Sequence, residues 1–278
     1  MTSLGRLEGY ELCGGLSPAA QVAGTQAVEA MPAAFVLSFV IPAFNEEALL
    51  PRTLRSIVEE IARTGCPAEI IVVNNASTDT TPIVARSFDG VRVVDEPVKS
   101  LVRARRAGFL AASGRLIANV DADTVLPEGW LRQVLEEFGA DPALVALSGP
   151  YVYDDISPFA NWWVRGFYRV GYAFLVINRL LFGVGAMLQG GNFIVTREAL
   201  ARIGGDNDTF VFYGEDTDVA CRLAVIGSVK FSFRLAAFSS GRRLAKEGLL
   251  RMAIRYGVNF IWTTFFRRPF TKSAKDIR

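Results

Sequence analysis

Short runs of β-branched and aromatic residues alternate with amphipathic stretches from Phe35 to about Leu147. Phe35–Ile41, closed by Pro42, is the first apolar run, followed by Glu69–Val73, Val91–Val94 and Leu116–Val120. Pro51–Ala62 places Leu54, Ile57, Val58 and Ile61 at helical spacing, with Arg52, Arg55 and Glu59-Glu60 outside. Further helices are predicted near Pro82–Phe88 and over Leu101–Ala112. Strands alternating with helices make βαβ units, which predict an α/β fold with a mostly parallel sheet flanked by helices.

Beyond that stretch the pattern changes. Phe159–Leu188 is crowded with aromatic and aliphatic residues, among them Trp162, Trp163, Phe167, Tyr168 and Tyr172. Gly190–Val195 reads as a strand, Arg197–Ile203 as a helix, and Asp216–Ile226 as a helix that opens with carboxylates. Lys230–Phe233 is a further strand, and Leu244–Phe266 is mainly helical and apolar, interrupted by Arg251 and Arg255. The predicted organisation is a poorly ordered tail over 1–34, an α/β half over 35–150 and an aromatic helical insert over 151–189. A second half over 190–243 and a C-terminal amphipathic helix with a basic tail over 244–278 complete it. Met31 stands just before the first strand and is an alternative physiological start to Met1. No basic segment precedes a compact apolar one, so no signal-peptide pattern is read at the N-terminus.

Val170–Leu188 has about the length of a spanning helix, roughly 20 residues. Asn178-Arg179 falls at its middle, where a charge costs about 2.5–3.5 kcal/mol, and glycines at 171, 183 and 185 weaken one long helix. An interfacial hairpin or pair of helices is therefore expected, since Trp, Tyr and Arg favour the headgroup region. An ordinary hydrophobic lid or dimer surface is the alternative.

Composition narrows the function. A hydrophobic content of 51% with 21% charged residues describes a globular chain, and a net charge of +2 is too small for a nucleic-acid binder. The end of the chain is locally basic, from Arg242-Arg243 through Arg267-Arg268 to Lys272, Lys275 and Arg278, which suits an anionic membrane surface. Cys13, Cys66 and Cys221 lie far apart with no CxxC, and read as reduced thiols in a cytosolic protein. There is no histidine. Any general base is thus a carboxylate or, failing that, Lys, Tyr or Cys, and Ser-His-Asp and Cys-His hydrolases are excluded.

Polar clusters follow the first, second and fourth predicted strands: Asn45-Glu46-Glu47, Asn74–Asp79 and Asp121–Thr124. In open α/β sheets ligands bind beyond the carboxyl ends of the strands, so this regularity predicts a nucleotide site. Asp121-Ala122-Asp123 puts two carboxylates within reach of one hard cation, which would neutralise a diphosphate leaving group. The same residues can instead cap a turn. Gly214-Glu215-Asp216-Thr217-Asp218 opens a helix; acidic residues there complement the dipole, yet three carboxylates in one turn exceed what capping requires, and one can act as a base. Asn74-Asn75-Ala76-Ser77 either makes a turn or reads a nucleobase edge through its amides.

Together, Val40–Glu47, Asn74–Asp79, Asp121-Ala122-Asp123 and Gly214-Glu215-Asp216 occur in the order and spacing of family 2 glycosyltransferases of the GT-A fold, a resemblance covering about residues 35 to 235. By that likeness Pro42, Ala43 and Glu46 line the nucleotide pocket, and Asn75 and Asp79 contact the base or shape its loop. Asp123 carries the main contact to a divalent metal, Mn²⁺ or Mg²⁺, with Asp121 nearer the ribose and diphosphate. Asp216 is the base of an inverting displacement, with Glu215 beside it, and Arg242 is placed to clamp the donor diphosphate or to form a basic surface turn. Gln189-Gly190-Gly191-Asn192 resembles the segment beneath the acceptor site.

The chain departs from the family where Asn74-Asn75 replaces paired aspartates and Ala76 replaces glycine, which bears on the nucleotide; a UDP-sugar is the favoured donor. The Gln/Arg-x-x-Arg-Trp signature of processive synthases is missing. The resemblance thus implies non-processive transfer of a sugar to an acceptor hydroxyl. With the insert and basic tail, it implies a lipid-linked or membrane-surface acceptor and a cytoplasmic protein peripheral to the inner face of the cell membrane. The rival readings are a nucleotidyltransferase that forms the activated sugar, for which the Gly-rich phosphate loop is lacking after the first strand, and a non-catalytic binding protein with a degenerate site.

Overall fold

The structure, a computed structural model, describes residues 36–183, 185–205, 207, 209–210 and 213–271. The tail predicted over 1–34, the alternative start at Met31, and Lys272, Lys275 and Arg278 lie outside the described residues. In chain order the elements are β1 (Leu37–Ala43), α1 (Leu50–Thr64), β2 (Ala68–Asn74), α2 (Thr81–Arg86), β3 (Val91–Asp95), α3 (Leu101–Ala111), β4 (Leu116–Val120), β5 (Thr124–Val125), α4 (Trp130–Ala140) and β6 (Leu144–Ser148). They continue with β7 (Tyr151–Tyr153), α5 (Pro158–Phe182), β8 (Asn192–Thr196), α6 (Arg197–Arg202), α7 (Glu215–Leu223), β9 (Ser228–Phe231), β10 (Ala237–Ser239), α8 (Arg242–Glu247) and α9 (Leu249–Phe266).

Seven strands form one sheet in the order β3-β2-β1-β4-β8-β6-β9, and β5-β10-β7 form a second, small sheet. In the large sheet only β8 runs against its neighbours, antiparallel to β4 and β6. The central strand β1 is buried at every position, as a strand covered on both faces must be. Phe39 and Ile41 pack on one side with Leu54, Ile57, Trp130 and Leu131. Val40 packs on the other side with Ile71, Ala104, Ile117 and Val219. The expected α/β architecture, mostly parallel with helices on both faces, is what the chain adopts.

Topology then positions the site. The carboxyl ends of β1, β2 and β4 share one edge of the sheet. Because β8 is reversed, its first residue, Asn192, pairs with Val120, the last of β4. The segment before β8 therefore arrives at the same edge as the loops after the parallel strands.

Several local expectations need correction. The insert is one helix, α5, rather than a hairpin or a pair. The Ser157 side chain caps its start by accepting the Ala160 N–H at 3.2 Å, and it ends at Gly183, whose φ of +66° closes it in the left-handed region. Gly166 and Gly171 each cost about 1 kcal/mol in a helix interior, but Val164, Tyr168 and Leu175 bury one face and hold the helix together. The helix predicted over Leu244–Phe266 is broken at Gly248, with φ +85°. Glu60, predicted outside α1, is buried because its carboxylate accepts the N–H groups of Gly129 and Leu131 at 3.1 and 2.9 Å and so caps α4. Val58, assigned to the apolar face, is 41% exposed. No helix among the described residues is long and apolar enough to cross a membrane.

Candidate active site

A cleft of about 870 Å³ opens at this sheet edge, and its walls include Pro42, Ala43, Asn75, Asp121, Asp123, Glu215, Asp216 and Arg242. Residues far apart in sequence are thus gathered into one cavity. Glu46 and Asp79, the other two predicted site residues, do not line it.

The loops after β1 and β2 are fastened to each other. Asn45, at φ +51°, accepts the Thr78 N–H at 2.8 Å through Oδ1. The Glu46 N–H donates to Thr81 Oγ1 at 2.7 Å. Asp79 accepts the Thr81 N–H at 2.9 Å through one oxygen and the Glu47 N–H at 3.3 Å through the other; these contacts, set against some burial, hold its carboxyl below the usual range. Asp79 is therefore the clasp of this loop pair. Asn75 is buried and accepts the Ser100 N–H at 3.0 Å, leaving its amide at the cleft wall. Asn74 donates to Asp95 at 2.7 Å. Ala76 sits at φ +60°, a conformation that suits glycine.

The two aspartates after β4 have different partners. Asp121 Oδ2 accepts from the Tyr151 hydroxyl at 3.1 Å, and Tyr151 in turn accepts from Thr124 Oγ1 at 3.1 Å. Burial and the neighbouring Asp121 push the Tyr151 phenol well above its ordinary value, so it stays protonated and donates. Asp123 Oδ2 accepts from Arg242 Nη2 at 2.9 Å, and the same guanidinium nitrogen donates to the nearly buried Glu46. Arg242 starts α8 directly after β10, and the small sheet fastens β10 to β5, the strand following Asp123. Among the described residues no three His, Cys, Asp or Glu side chains converge as a complete metal site. Asp121 and Asp123 nevertheless form an all-oxygen pair of the kind that holds Mg²⁺ or Mn²⁺ when phosphate oxygens and water supply the remaining ligands. That donor set fits.

Gly190 and Gly191 let the segment before β8 approach. The Asp121 N–H donates to the Gly191 carbonyl at 3.3 Å, and a Cβ on Gly191 would lie 2.1 Å from both the Asp121 carboxylate and the Tyr151 hydroxyl.

Glu215 and Asp216 open α7. Glu215 is buried and pairs with Arg105 at 3.2 Å. Asp216 is less buried, lines the cleft, and accepts its neighbour's Thr217 N–H at 2.7 Å. Burial raises the pKa of both carboxyls; Asp216 adds to the rise at Glu215, while Arg105 opposes it at each. Arg105 also donates to the Gly190 carbonyl at 2.8 Å and lies 3.9 Å from Asp121. It is the site residue the sequence reading missed, together with Tyr151. A signal for Arg105 existed: in α3 it shares the buried side with Val102, Ala104 and Gly108, where a cation needs a partner.

Comparison with known proteins identifies the family and the fold. The family model described as Glycosyl transferase family 2 matches residues 38–204, more than half of the chain. A validoxylamine A glucosyltransferase of Streptomyces hygroscopicus subsp. limoneus is 34% identical over 131 residues, covering 44% of this chain and 28% of that protein. An uncharacterized glycosyltransferase of Mycobacterium tuberculosis is 38% identical over 109 residues, 38% of this chain and 45% of the relative. The match thus spans less than half the length of these curated relatives. Among solved structures, a mannosyltransferase from Pyrobaculum calidifontis in complex with GDP-Man and Mn²⁺ superposes with a TM-score of 0.63 at 20% identity, covering 89% of this chain and 69% of that one. Glucosyl-3-phosphoglycerate synthase from Mycobacterium tuberculosis, with Mn²⁺ and UDP-Glc, gives 0.55 at 20% identity, covering 90% and 83%. At that identity the likeness is one of fold.

Proposed function

Because this chain belongs to glycosyl transferase family 2, we propose that it transfers a sugar from a nucleotide-sugar donor to an acceptor hydroxyl, with inversion at the anomeric carbon and without processivity. The observation that carries this reading is the convergence of Asp121, Asp123 and Asp216 in one cleft at the carboxyl edge of the sheet. Pro42, Ala43 and Asn75 bound the end of the cleft where the nucleotide lies, in keeping with UDP- and GDP-sugars held by proteins of like fold; a UDP-sugar is the favoured donor. Asp123 and Asp121 would hold a divalent cation, which would supply charge neutralisation for the departing diphosphate.

In the displacement the acceptor oxygen forms a bond to the anomeric carbon while the bond from that carbon to the diphosphate oxygen breaks. The acceptor's proton passes to Asp216, and the nucleoside diphosphate leaves. Division of labour between the adjacent carboxylates follows from their partners: Arg105 engages Glu215, whereas Asp216 faces the cleft. Arg242 is placed to exchange its Asp123 contact for a diphosphate oxygen, a bidentate partner well matched to guanidinium.

The acceptor side is proposed to lie at an anionic membrane face, with a lipid-linked acceptor and a peripheral, cytoplasmic-side location. Helices α5 and α9 contain five arginines and no acidic residue, and Trp162, Leu180 and Leu250 on them are 62%, 80% and 74% exposed. Apolar exposure with one sign of charge favours such a surface.

The test is donor hydrolysis over UDP-, GDP- and dTDP-sugars with Mn²⁺ or Mg²⁺, followed by NMR of the anomer released. Metal-dependent hydrolysis of one donor is expected, with inverted product. A wild-type chain that binds no donor and hydrolyses none overturns the reading, and a retained anomer overturns the inverting displacement. Flotation with phosphatidylglycerol-containing liposomes tests the membrane face, which a chain showing no liposome affinity would exclude.

A further inference from the structure

The cleft that holds Asp121, Asp123 and Asp216 does not end at the polar residues. The same volume continues along α5 and α9, where Trp163, Phe167, Val170, Leu249, Leu250 and Ala253 form its walls. Of the α5 and α9 residues that line it, only the two tryptophans, Tyr168 and Tyr256 carry any polar side-chain atom. The Tyr168 hydroxyl is already engaged, donating to Gln189 at 2.7 Å and accepting the Tyr151 N–H at 3.2 Å. A saccharide needs several hydrogen-bond partners to replace its hydration, and a wall of this composition offers almost none. A hydrocarbon chain needs only apolar area.

Gly166 sharpens the reading. It lines the cleft from within α5, and a Cβ there would meet nothing within 4 Å. The glycine is therefore not required by close packing or by its backbone angle, and it costs helix stability. What it leaves is open space at a position that lines the cleft.

We infer that this arm is a binding site for the hydrocarbon chain of a lipid-linked acceptor, continuous with the catalytic end of the cleft. This rests on the glycosyl-transfer reading above and extends it by naming where the chain of the acceptor lies. Three features point to this occupant: the arm is one cavity with the catalytic carboxylates, the α5 and α9 side chains along it are mostly apolar, and those helices carry arginines without acidic residues beside exposed aromatic side chains. Such helices can rest on an anionic lipid surface and receive a chain from it.

The test uses the full chain and brominated alcohols, whose bromine quenches tryptophan on contact. With 11-bromo-1-undecanol, saturable quenching is expected, and 3-bromo-1-propanol should bind far more weakly, since each buried methylene changes affinity by about fourfold. Trp162→Phe with Trp163→Phe should remove most of the saturable signal. Gly166→Phe fills that open space, and should abolish saturable binding of the long probe. Equal quenching by both probes, or saturation in Gly166→Phe matching wild type, overturns the proposal; the second result would assign the chain to the outer surface of α5. If Gly166→Phe does not fold, Ala253→Phe on the facing helix makes the same test. Donor hydrolysis by the wild-type chain is measured alongside. Hydrolysis without chain-length-dependent binding rejects the chain site alone, and absence of both rejects the proposed function as well.

Discussion

Replacing Gly191 by alanine strikes the point where the second half of the chain meets the first. The added Cβ would stand 2.1 Å from Asp121 Cγ, Asp121 Oδ2 and Tyr151 Oη. Even the shortest contacts that Cβ atoms make are near 3.0 Å, so about 0.9 Å of separation has to be found. The backbone cannot readily supply it, because the Asp121 N–H donates to the Gly191 carbonyl and Asn192 continues directly into β8. Tyr151 is buried and held by Thr124. The Asp121 carboxylate is the group that moves. Overpacking of this kind costs about 1–3 kcal/mol, which in a domain of this size lowers the melting temperature by about 2–4 °C per kcal/mol. Displacing a positioning group by about 1 Å costs on the order of 10²-fold in rate. Gly191→Ala is thus expected to remain folded, to melt several degrees lower and to lose about 10²-fold in metal-dependent donor hydrolysis. Gly190→Ala should be milder, because its Cβ would meet the end of the Arg105 side chain at 2.9 Å and the two carboxylates only at 3.5–3.6 Å. Circular dichroism melts and donor kinetics on the two variants settle the order. Wild-type turnover in Gly191→Ala, or a larger loss in Gly190→Ala, refutes the reasoning.

Asp216→Asn should lower turnover by about 10²–10⁴-fold, the usual worth of a general base, with donor affinity by calorimetry retained; unchanged turnover rejects the assignment. Arg242→Ala removes the cation that faces Asp123 and is expected to tighten Mn²⁺ binding without donor while weakening nucleoside diphosphate binding, both read by electron paramagnetic resonance titration. A weaker Mn²⁺ signal would show that the arginine supports the cation rather than competing with it. Burial raises the Glu215 carboxyl to about 8, so the folded chain keeps a proton that the unfolded chain releases near 4. Stability from this group is therefore present at low pH and lost as pH rises from about 4 towards 8. Glu215→Gln should flatten that decline in urea melts at pH 5, 6.5 and 8, and an unaltered slope counts against the assignment. Ala76→Gly relieves a left-handed alanine, a gain of about 1–2 kcal/mol set against roughly 0.4–1 kcal/mol of unfolded-chain entropy; a small rise in urea midpoint is expected, and a fall would contradict the backbone reading.

Much of the fold was legible because β1, β2, β3 and β4 are apolar runs of five to seven residues separated by periodic helices. Four strands were not read, β6 among them, and the other three have a physical reason for silence. β5 has two residues and β7 and β10 three each, too few for any alternation to register, and they exist only because distant segments meet. Glu60 was misplaced because a carboxylate at an apparently solvent-facing helical position gives no hint that two amides of α4 need it. In the site, local motifs carried Asp121, Asp123, Asp216 and Asn75 into view, since each stands in a short polar cluster after an apolar run or before a helix. Arg105 and Tyr151 act across 110 and 30 residues of sequence respectively, and neither lies in such a cluster. Asp79 shows the opposite limit. Its position in a motif was plain and left base contact or loop shaping open; the Thr81 and Glu47 amides that it accepts show the loop contact.

The reversal of β8 carries a consequence for how such a protein can diversify. A strand inserted antiparallel between β4 and β6 lets its incoming loop, rather than its outgoing one, face the substrate. Everything between β7 and β8, including the whole of α5, is then a detour that leaves and re-enters the sheet at the same edge. The length and chemistry of that detour can change without altering the register of β1, β2 and β4, whose loops are the proposed donor side. Under the proposed function, acceptor preference and donor preference would then be separable traits, joined at the Gly190-Gly191 seam.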